Sequence, residues 1–174
     1  GFVEPRKYNH LTGKKYYNSV AVLQNGNIQG IIRKSLLPTY SEFNDYRYIE
    51  PSPIVGNQPG MTLGQFDSEK IINCAKTNII NNKKYGISIC EDCWNNKEFF
   101  NDTTLYSLDP IEELSKENPD VFINCSASPT RAKKEQLKHN MLSFIAKKYS
   151  TPIVYVNQVG AIDNSSFDGS TGKS

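Results

Sequence analysis

At 174 residues the chain suits one domain with a substantial core, and its 20 basic and 18 acidic residues leave a net charge of only +2. That balance argues against a nucleic-acid or membrane-surface partner. No apolar run approaches the roughly 20 residues of a membrane span, and no secretory signal opens the chain. Four cysteines are too few for a disulfide framework, so a reducing, cytoplasmic setting is expected.

Asn18–Leu23 reads as a strand, Asn25-Gly26 as a tight hairpin turn and Ile28–Lys34 as the returning strand. A loop rich in Pro, Tyr and Gly follows from about Pro38 to Gly64. Asp67 or Ser68 caps an expected helix running through Ile71, Ile72 and Ala75 toward Ile79. Asn81–Lys84 is a polar turn ahead of Tyr85–Cys90, a strand whose Ile87 and Ile89 imply burial and whose Gly86 permits close approach. The Asn-rich patches at Asn81-Asn82 and Asn95-Asn96 read as padding without chemistry. Asp109 and Pro110 open a helix, with an N-cap, a proline at the first helical position and early carboxylates. Val121–Cys125 is a short apolar strand, Pro129–Tyr149 a long amphipathic helix and Pro152–Asn157 a third buried strand. This alternation implies an α/β sandwich. The chain starts at Gly1 without methionine and stops in Ser170–Ser174; residues 1–174 are expected to be one domain cut at both ends.

The chemistry concentrates at Tyr85–Trp94, where a strand ends on Cys90 with Glu91 and Asp92 directly behind it. A reactive group at a strand end sits on a rigid support. A nucleophilic cysteine acts as its thiolate, which needs a base or cation nearby, and Lys34 at the end of its own apolar run is the candidate cation. Each feature also has a plainer reading. A single strand cysteine is more often a small core residue, Lys34 a solvated strand end, and Lys133-Lys134 an exposed helix face. Tyr40 and Trp94 are as suited to covering a loop as to shaping a pocket. Cys90-Glu91-Asp92-Cys93 also fits Cys-x-x-Cys, but zinc needs two more ligands and His10 and His139 lack ligand spacing, so no metal site is expected. Gly169–Ser174 fails the glycine spacing of a phosphate loop.

Five segments occur in the order of the nitrilase (carbon–nitrogen hydrolase) superfamily. They are Lys34-Ser35-Leu36-Leu37-Pro38-Thr39-Tyr40, Cys90-Glu91-Asp92-Cys93-Trp94, Asn124-Cys125-Ser126-Ala127-Ser128-Pro129, Asn157-Gln158-Val159-Gly160 and Phe167-Asp168-Gly169-Ser170. Within it the chain resembles the glutaminase domain of glutamine-dependent NAD+ synthetases, through Leu37-Pro38-Thr39-Tyr40 and the Asp109–Leu114 helix start. The resemblance spans nearly the whole chain, with an insertion between about Pro51 and Asn82.

It implies a nitrilase-like four-layer α-β-β-α sandwich, here a partial domain, with a Glu-Lys-Cys triad. Cys90 matches the nucleophile and Lys34 the oxyanion donor. The triad glutamate has no match; Glu4, in Val3-Glu4-Pro5, does not fit the motif. A positioned acid–base group is worth about 10²–10⁴ in rate, so the chain by itself is expected to be nearly inactive. Tyr40 and Trp94 fall where this branch shapes a glutamine pocket, and the Glu91 N–H is the second oxyanion donor. Ser126 and Ser128 are candidates to hold the substrate's α-amino or carboxylate group. Asp45 replaces the family's second glutamate, one methylene shorter. Lys133, Lys134 and Lys138 align with a Gly-Lys and a later Arg, which assigns the substrate carboxylate to Lys138, a lysine in place of an arginine fork.

The resemblance further implies hydrolysis of L-glutamine through a Cys90 thioester, with no cofactor for the glutaminase domain. The ammonia would pass to a C-terminal synthetase domain that uses ATP and Mg2+ to amidate nicotinic acid adenine dinucleotide, in a homo-oligomer. Two alternatives stand beside it: a free-standing amidase or carbamoylase of the same superfamily, and a non-catalytic nitrilase-like scaffold.

Overall fold

The structure, a computed structural model, describes residues 1–6, 13–52, 78–162 and 165–168. Cys74, His10, the expected helix over 67–77 and the Gly169–Ser174 tail lie outside them. Among the described residues the chain forms three sheets and three helices.

The first sheet has the order β1 (Phe2–Pro5), β2 (Tyr16–Gln24), β3 (Asn27–Arg33), all antiparallel. Asn25 and Gly26 both take positive φ, 51° and 75°, the conformation of a two-residue hairpin turn. Glu4 is a partner of this sheet: its carboxylate pairs with Arg33 and accepts the Ser19 hydroxyl at 2.7 Å.

The second sheet has the order β4 (Asn78–Ile80), β5 (Lys83–Ile89), β6 (Val121–Ser126), β7 (Ile153–Asn157). β5, β6 and β7 are parallel, with Ile87 opposite Ile123 and Ile123 opposite Val154. The expected helix does not reach Ile79. Asn81 and Asn82 sit at φ 50° and 61°, folding Asn78–Ile80 back antiparallel onto β5. Lys83 and Lys84, expected in the turn, already belong to β5. Gly86 is required by close approach: a Cβ there would lie 2.9 Å from Cδ1 of Phe122, so its neighbour is a ring rather than a backbone.

α2 (Pro110–Ser115) starts as the sequence predicts, with Asp109 Oδ1 accepting the N–H groups of Ile111 (3.0 Å) and Glu112 (3.2 Å). The long helix starts later than predicted, as α3 (Lys134–Lys148). Residues 128–133 are held otherwise: the Asn157 side chain brackets Ser128, the Thr130 N–H bonds the Ser166 carbonyl, and Lys133 turns to φ 66°. α1 (Asp45–Tyr48) is one turn within the expected loop, and β8 (Val159–Ile162) pairs with β9 (Ser165–Asp168) as a hairpin.

Helices cover one face of the second sheet. Phe122, Ile153 and Tyr155 pack with Ile111, Leu114, Met141 and Ile145 in a core sealed from solvent. Burying each such side chain contributes about 1.5–3 kcal/mol. On the other face Val22 and Ile32 of the first sheet meet Ile87. Helix, sheet and sheet are thus three layers of the expected α-β-β-α sandwich. No helix among the described residues is long and apolar enough to cross a membrane.

Candidate active site

Both strands that approach the site end there. Lys34 follows β3, its N–H bonded to Asn18 O at 2.8 Å and its own carbonyl accepting the Ser52 N–H at 2.8 Å. Cys90 follows β5 at φ 47° and begins a single 3-10 turn, Cys90–Cys93. Asp92 ties the two exits together. Its Oδ1 accepts the N–H groups of Ser35 (3.1 Å) and Leu36 (2.9 Å), and its Oδ2 that of Ile89 (3.0 Å). Complete burial pushes its carboxyl up to about 6, against the three N–H bonds, which favour the ionised form.

The Lys34 ammonium is buried, at 3% exposure for the residue, and bonds Asp45 Oδ2 at 2.5 Å. Asp45 opens α1, and that turn carries the shorter carboxylate close enough to reach the lysine. Burial acts to lower the Lys34 pKa, but Cys90 and Asp45 outweigh it and hold the group above the usual lysine value. Burial pushes the Cys90 thiol up; Lys34 opposes it most strongly, followed by the Ala127 N–H and the Ser126 hydroxyl. Behind the nucleophile, Asn124 Nδ2 donates to Ser88 Oγ (2.9 Å) and to the Cys90 carbonyl (3.4 Å), while Ser126 Oγ donates to Asn124 Oδ1 (2.6 Å). Cys93 Sγ contacts the Cys90 carbonyl at 3.2 Å, and its thiol is driven well above its usual value by burial.

A cavity of about 380 Å³ opens beside Cys90. Glu91, Tyr40, Trp94 and Ser128 line it, as do Phe43 and residues 131–134. The Glu91 carboxylate accepts Tyr40 Oη at 2.8 Å and Tyr106 Oη at 3.2 Å, and burial raises its pKa. Tyr106 had no signal in the sequence. Its loop is held by the asparagines expected to be padding: Asn95 Nδ2 donates to the carbonyls of Tyr106 (2.9 Å) and Leu108 (2.5 Å), and Asn96 to Asp109 Oδ2 (2.9 Å). Both are essentially sealed from solvent, because a buried amide can satisfy several backbone groups at once.

Three residues differ in place from the sequence expectation. Ser126 faces the nucleophile and Asn124 and is not among the residues lining the cavity. Lys138 is also outside that lining: it is buried, pairs with Glu135 at 2.6 Å and lies 5.1 Å from the Tyr155 ring. Lys134, expected on a solvated face, takes the cavity position instead, 5.7 Å from the Trp94 ring and 5.9 Å from that of Phe43. Lys134 opens α3 at the cavity, and Lys138 lies one turn further along the helix. Among the described residues no group of three or more His, Cys, Asp or Glu is arranged to hold a metal ion.

No protein-family profile matches the chain. A curated glutamine-dependent NAD(+) synthetase from Synechocystis sp. is 33% identical over 172 residues, covering 97% of this chain and 27% of that protein. Among solved structures, the glutamine-dependent NAD+ synthetase of Acinetobacter baumannii in complex with adenosine diphosphate gives a TM-score of 0.70 at 30% identity. That match covers 98% of this chain and 26% of the other. A carbon–nitrogen hydrolase from Helicobacter pylori G27 shares the fold, with a TM-score of 0.63 at 21% identity over 90% of this chain and 48% of that one. The chain thus spans about a quarter of the length of the curated relatives it matches. With the fold and these relatives together, the chain is similar over nearly its whole length to one part of the glutamine-dependent NAD+ synthetases and shares the sandwich fold of the carbon–nitrogen hydrolase.

Proposed function

We propose that the chain supplies the glutaminase site of a longer glutamine-dependent NAD+ synthetase. The observation that carries this reading is the meeting of two strand ends: Cys90 in a left-handed turn beside a cavity, with the buried ammonium of Lys34 acting on its thiol. Burial keeps the resting group a thiol. Its proton leaves as the Cys90 sulfur attacks the side-chain amide carbon of L-glutamine. The tetrahedral oxyanion is met by the Lys34 ammonium and the Glu91 N–H, donors typically worth about 2.7–4 kcal/mol each. Asp45 keeps Lys34 charged and aimed.

Three carboxylates around the pair are already engaged: Asp45 by Lys34, Glu91 by two tyrosines, and Asp92 by three N–H groups. The general base is therefore assigned, on the family resemblance, to a glutamate that has no match in this sequence. It returns the proton to the leaving ammonia; water then cleaves the thioester, releasing glutamate and restoring the Cys90 thiol. Lys134 and Ser128 line the cavity where the polar end of the substrate must sit. The ammonia would serve an ATP- and Mg2+-dependent amidation of nicotinic acid adenine dinucleotide by another part of the same protein.

The test uses the full-length protein. Cys90→Ala abolishes glutamine-dependent synthesis while ammonia-dependent synthesis persists, and Cys93→Ala spares most of both. Loss of glutamine-dependent synthesis in Cys93→Ala with retention in Cys90→Ala would overturn the assignment.

A further inference from the structure

Directly behind Cys90 stands a buried asparagine with no part in binding or chemistry so far. Asn124 lies within β6, opposite Ser88 of β5 on one side and Tyr155 of β7 on the other, and is sealed from solvent. Its Nδ2 donates to Ser88 Oγ and to the Cys90 carbonyl, and its Oδ1 accepts the Ser126 hydroxyl. Two of these three bonds lead to the nucleophile. Cys90 sits at φ 47°, a left-handed conformation that is costly for a residue with a Cβ and persists only where the surroundings fix it. The sheet does not fix it, because the pairing of β5 with β6 ends one residue earlier, at Ile89 opposite Cys125. The Cys90 carbonyl is held from the side instead, by Asn124 Nδ2 at 3.4 Å and by Cys93 Sγ at 3.2 Å. The Ser126 hydroxyl acts on the Cys90 sulfur, and Asn124 Oδ1 at 2.6 Å fixes where that hydroxyl stands.

We propose that Asn124 is a positioning residue for the reaction: it clamps the Cys90 carbonyl, which aims the sulfur, and it holds the Ser126 hydroxyl against that sulfur. The two ends of one amide thereby set two things the attack requires, the direction of Sγ and a donor for its charge. A hydroxyl carries a single hydrogen. Beside the resting thiol it goes to Asn124 Oδ1. As the thiolate forms it turns to the sulfur, since a bond to an ionised acceptor is the stronger one, and the serine oxygen stays in place for that exchange. Asn124 itself touches neither substrate nor sulfur and takes no proton. The titratable groups around the sulfur are Lys34 after β3, Glu91 and Cys93 on its own turn, Tyr40, Lys134 of α3 and Tyr155 of β7. All of them stay in place in the variants that test the role. The proposal rests on reading Cys90 as the glutaminase nucleophile.

The experiment uses the full-length protein, with ammonia-dependent synthesis as the folding control. Asn124→Ala lowers kcat for L-glutamine hydrolysis about 10- to 100-fold, the scale of a reacting atom misplaced by about an ångström, while KM stays within a few-fold. The pH profile of Cys90 alkylation by iodoacetamide, followed by peptide mapping, moves to higher pH, because the hydroxyl that opposes the burial-raised thiol is no longer held. Ser126→Ala gives the same alkylation shift with a smaller fall in kcat, and Ser126→Thr, which keeps the hydroxyl, restores the wild-type profile. Ser88→Ala removes the one bond that does not lead to Cys90 and leaves kcat and the profile unchanged. Wild-type kcat and profile in Asn124→Ala overturn the proposal. So does an equal loss in Ser88→Ala, which would make Asn124 a packing residue, and so does a raised KM with unchanged kcat. Should Asn124→Ala fail to fold, the Ser126 variants decide: a shift that Ser126→Thr restores supports the proposal, and an unmoved profile in Ser126→Ala overturns it. Glutaminase activity surviving in Cys90→Ala would instead overturn the underlying site assignment; the alkylation profiles are read without substrate and stand apart from it.

Discussion

Replacing Lys34 by Met keeps the buried stem and removes only the ammonium. As an oxyanion donor Lys34 is worth about 2.7–4 kcal/mol in the transition state, so kcat for glutamine hydrolysis is expected to fall about 100- to 1000-fold. Stability changes far less. Removing one member of a fully buried pair costs about 3–5 kcal/mol, but the Asp45 side chain is 26% exposed and water can take over its carboxylate. Deleting a buried ammonium also removes its desolvation cost. The net loss is on the order of 1–2 kcal/mol, a fall of about 2–8 °C in Tm for a domain of this size. The assay measures glutaminase rates with ammonia-dependent synthesis in the same preparation as the folding control. A second readout follows Cys90 alkylation by iodoacetamide against pH. Lys34 is the strongest influence opposing the burial-raised thiol pKa, so the alkylation profile of the variant moves to higher pH. Retention of more than about a tenth of the rate, together with an unmoved alkylation profile, would refute the role of Lys34.

Asp92 has a pKa raised by burial from 3.8 to about 6, so its contribution to stability is present below about pH 4 and is lost as pH rises through 6. That displacement amounts to on the order of 3 kcal/mol; urea midpoints of Asp92→Asn should lack this slope, and an identical slope in the variant would count against it. Tyr106→Phe removes one of the hydroxyls on Glu91; it should raise KM for glutamine a few-fold, and Asn95→Ala should do so more strongly by releasing the Tyr106 loop, both read by steady-state kinetics. Gly86→Ala places a Cβ against the Phe122 ring and should cost about 1–3 kcal/mol, the range for overpacking, measured by denaturant unfolding.

Local order was legible wherever a short stretch decides its own conformation. The Asn25-Gly26 hairpin, the Asp109 cap and the apolar strands β6 and β7 depend on turn chemistry and on alternation or burial within a few residues. Cys90 and Lys34 could be paired from the ordered motifs around them, because each ends a strand that the sheet carries to the same place. The start of α3 was not legible: the chain just before it is held by Asn157, nearly thirty residues away, whose amide bonds both backbone groups of Ser128, and the helix begins only at Lys134. Lys134, the first residue of the helix, lies at the cavity, and Lys138, one turn on, does not line it. Nor could sequence reveal why Asn95 and Asn96 are buried, or that Tyr106 reaches Glu91, since those bonds close a loop with no periodic signal. Sequence alone pointed to the groups proposed to carry the chemistry; the tertiary structure decided which polar groups face them, because hydrogen bonds across 15 to 90 residues exist only once the sheets and loops have been brought together.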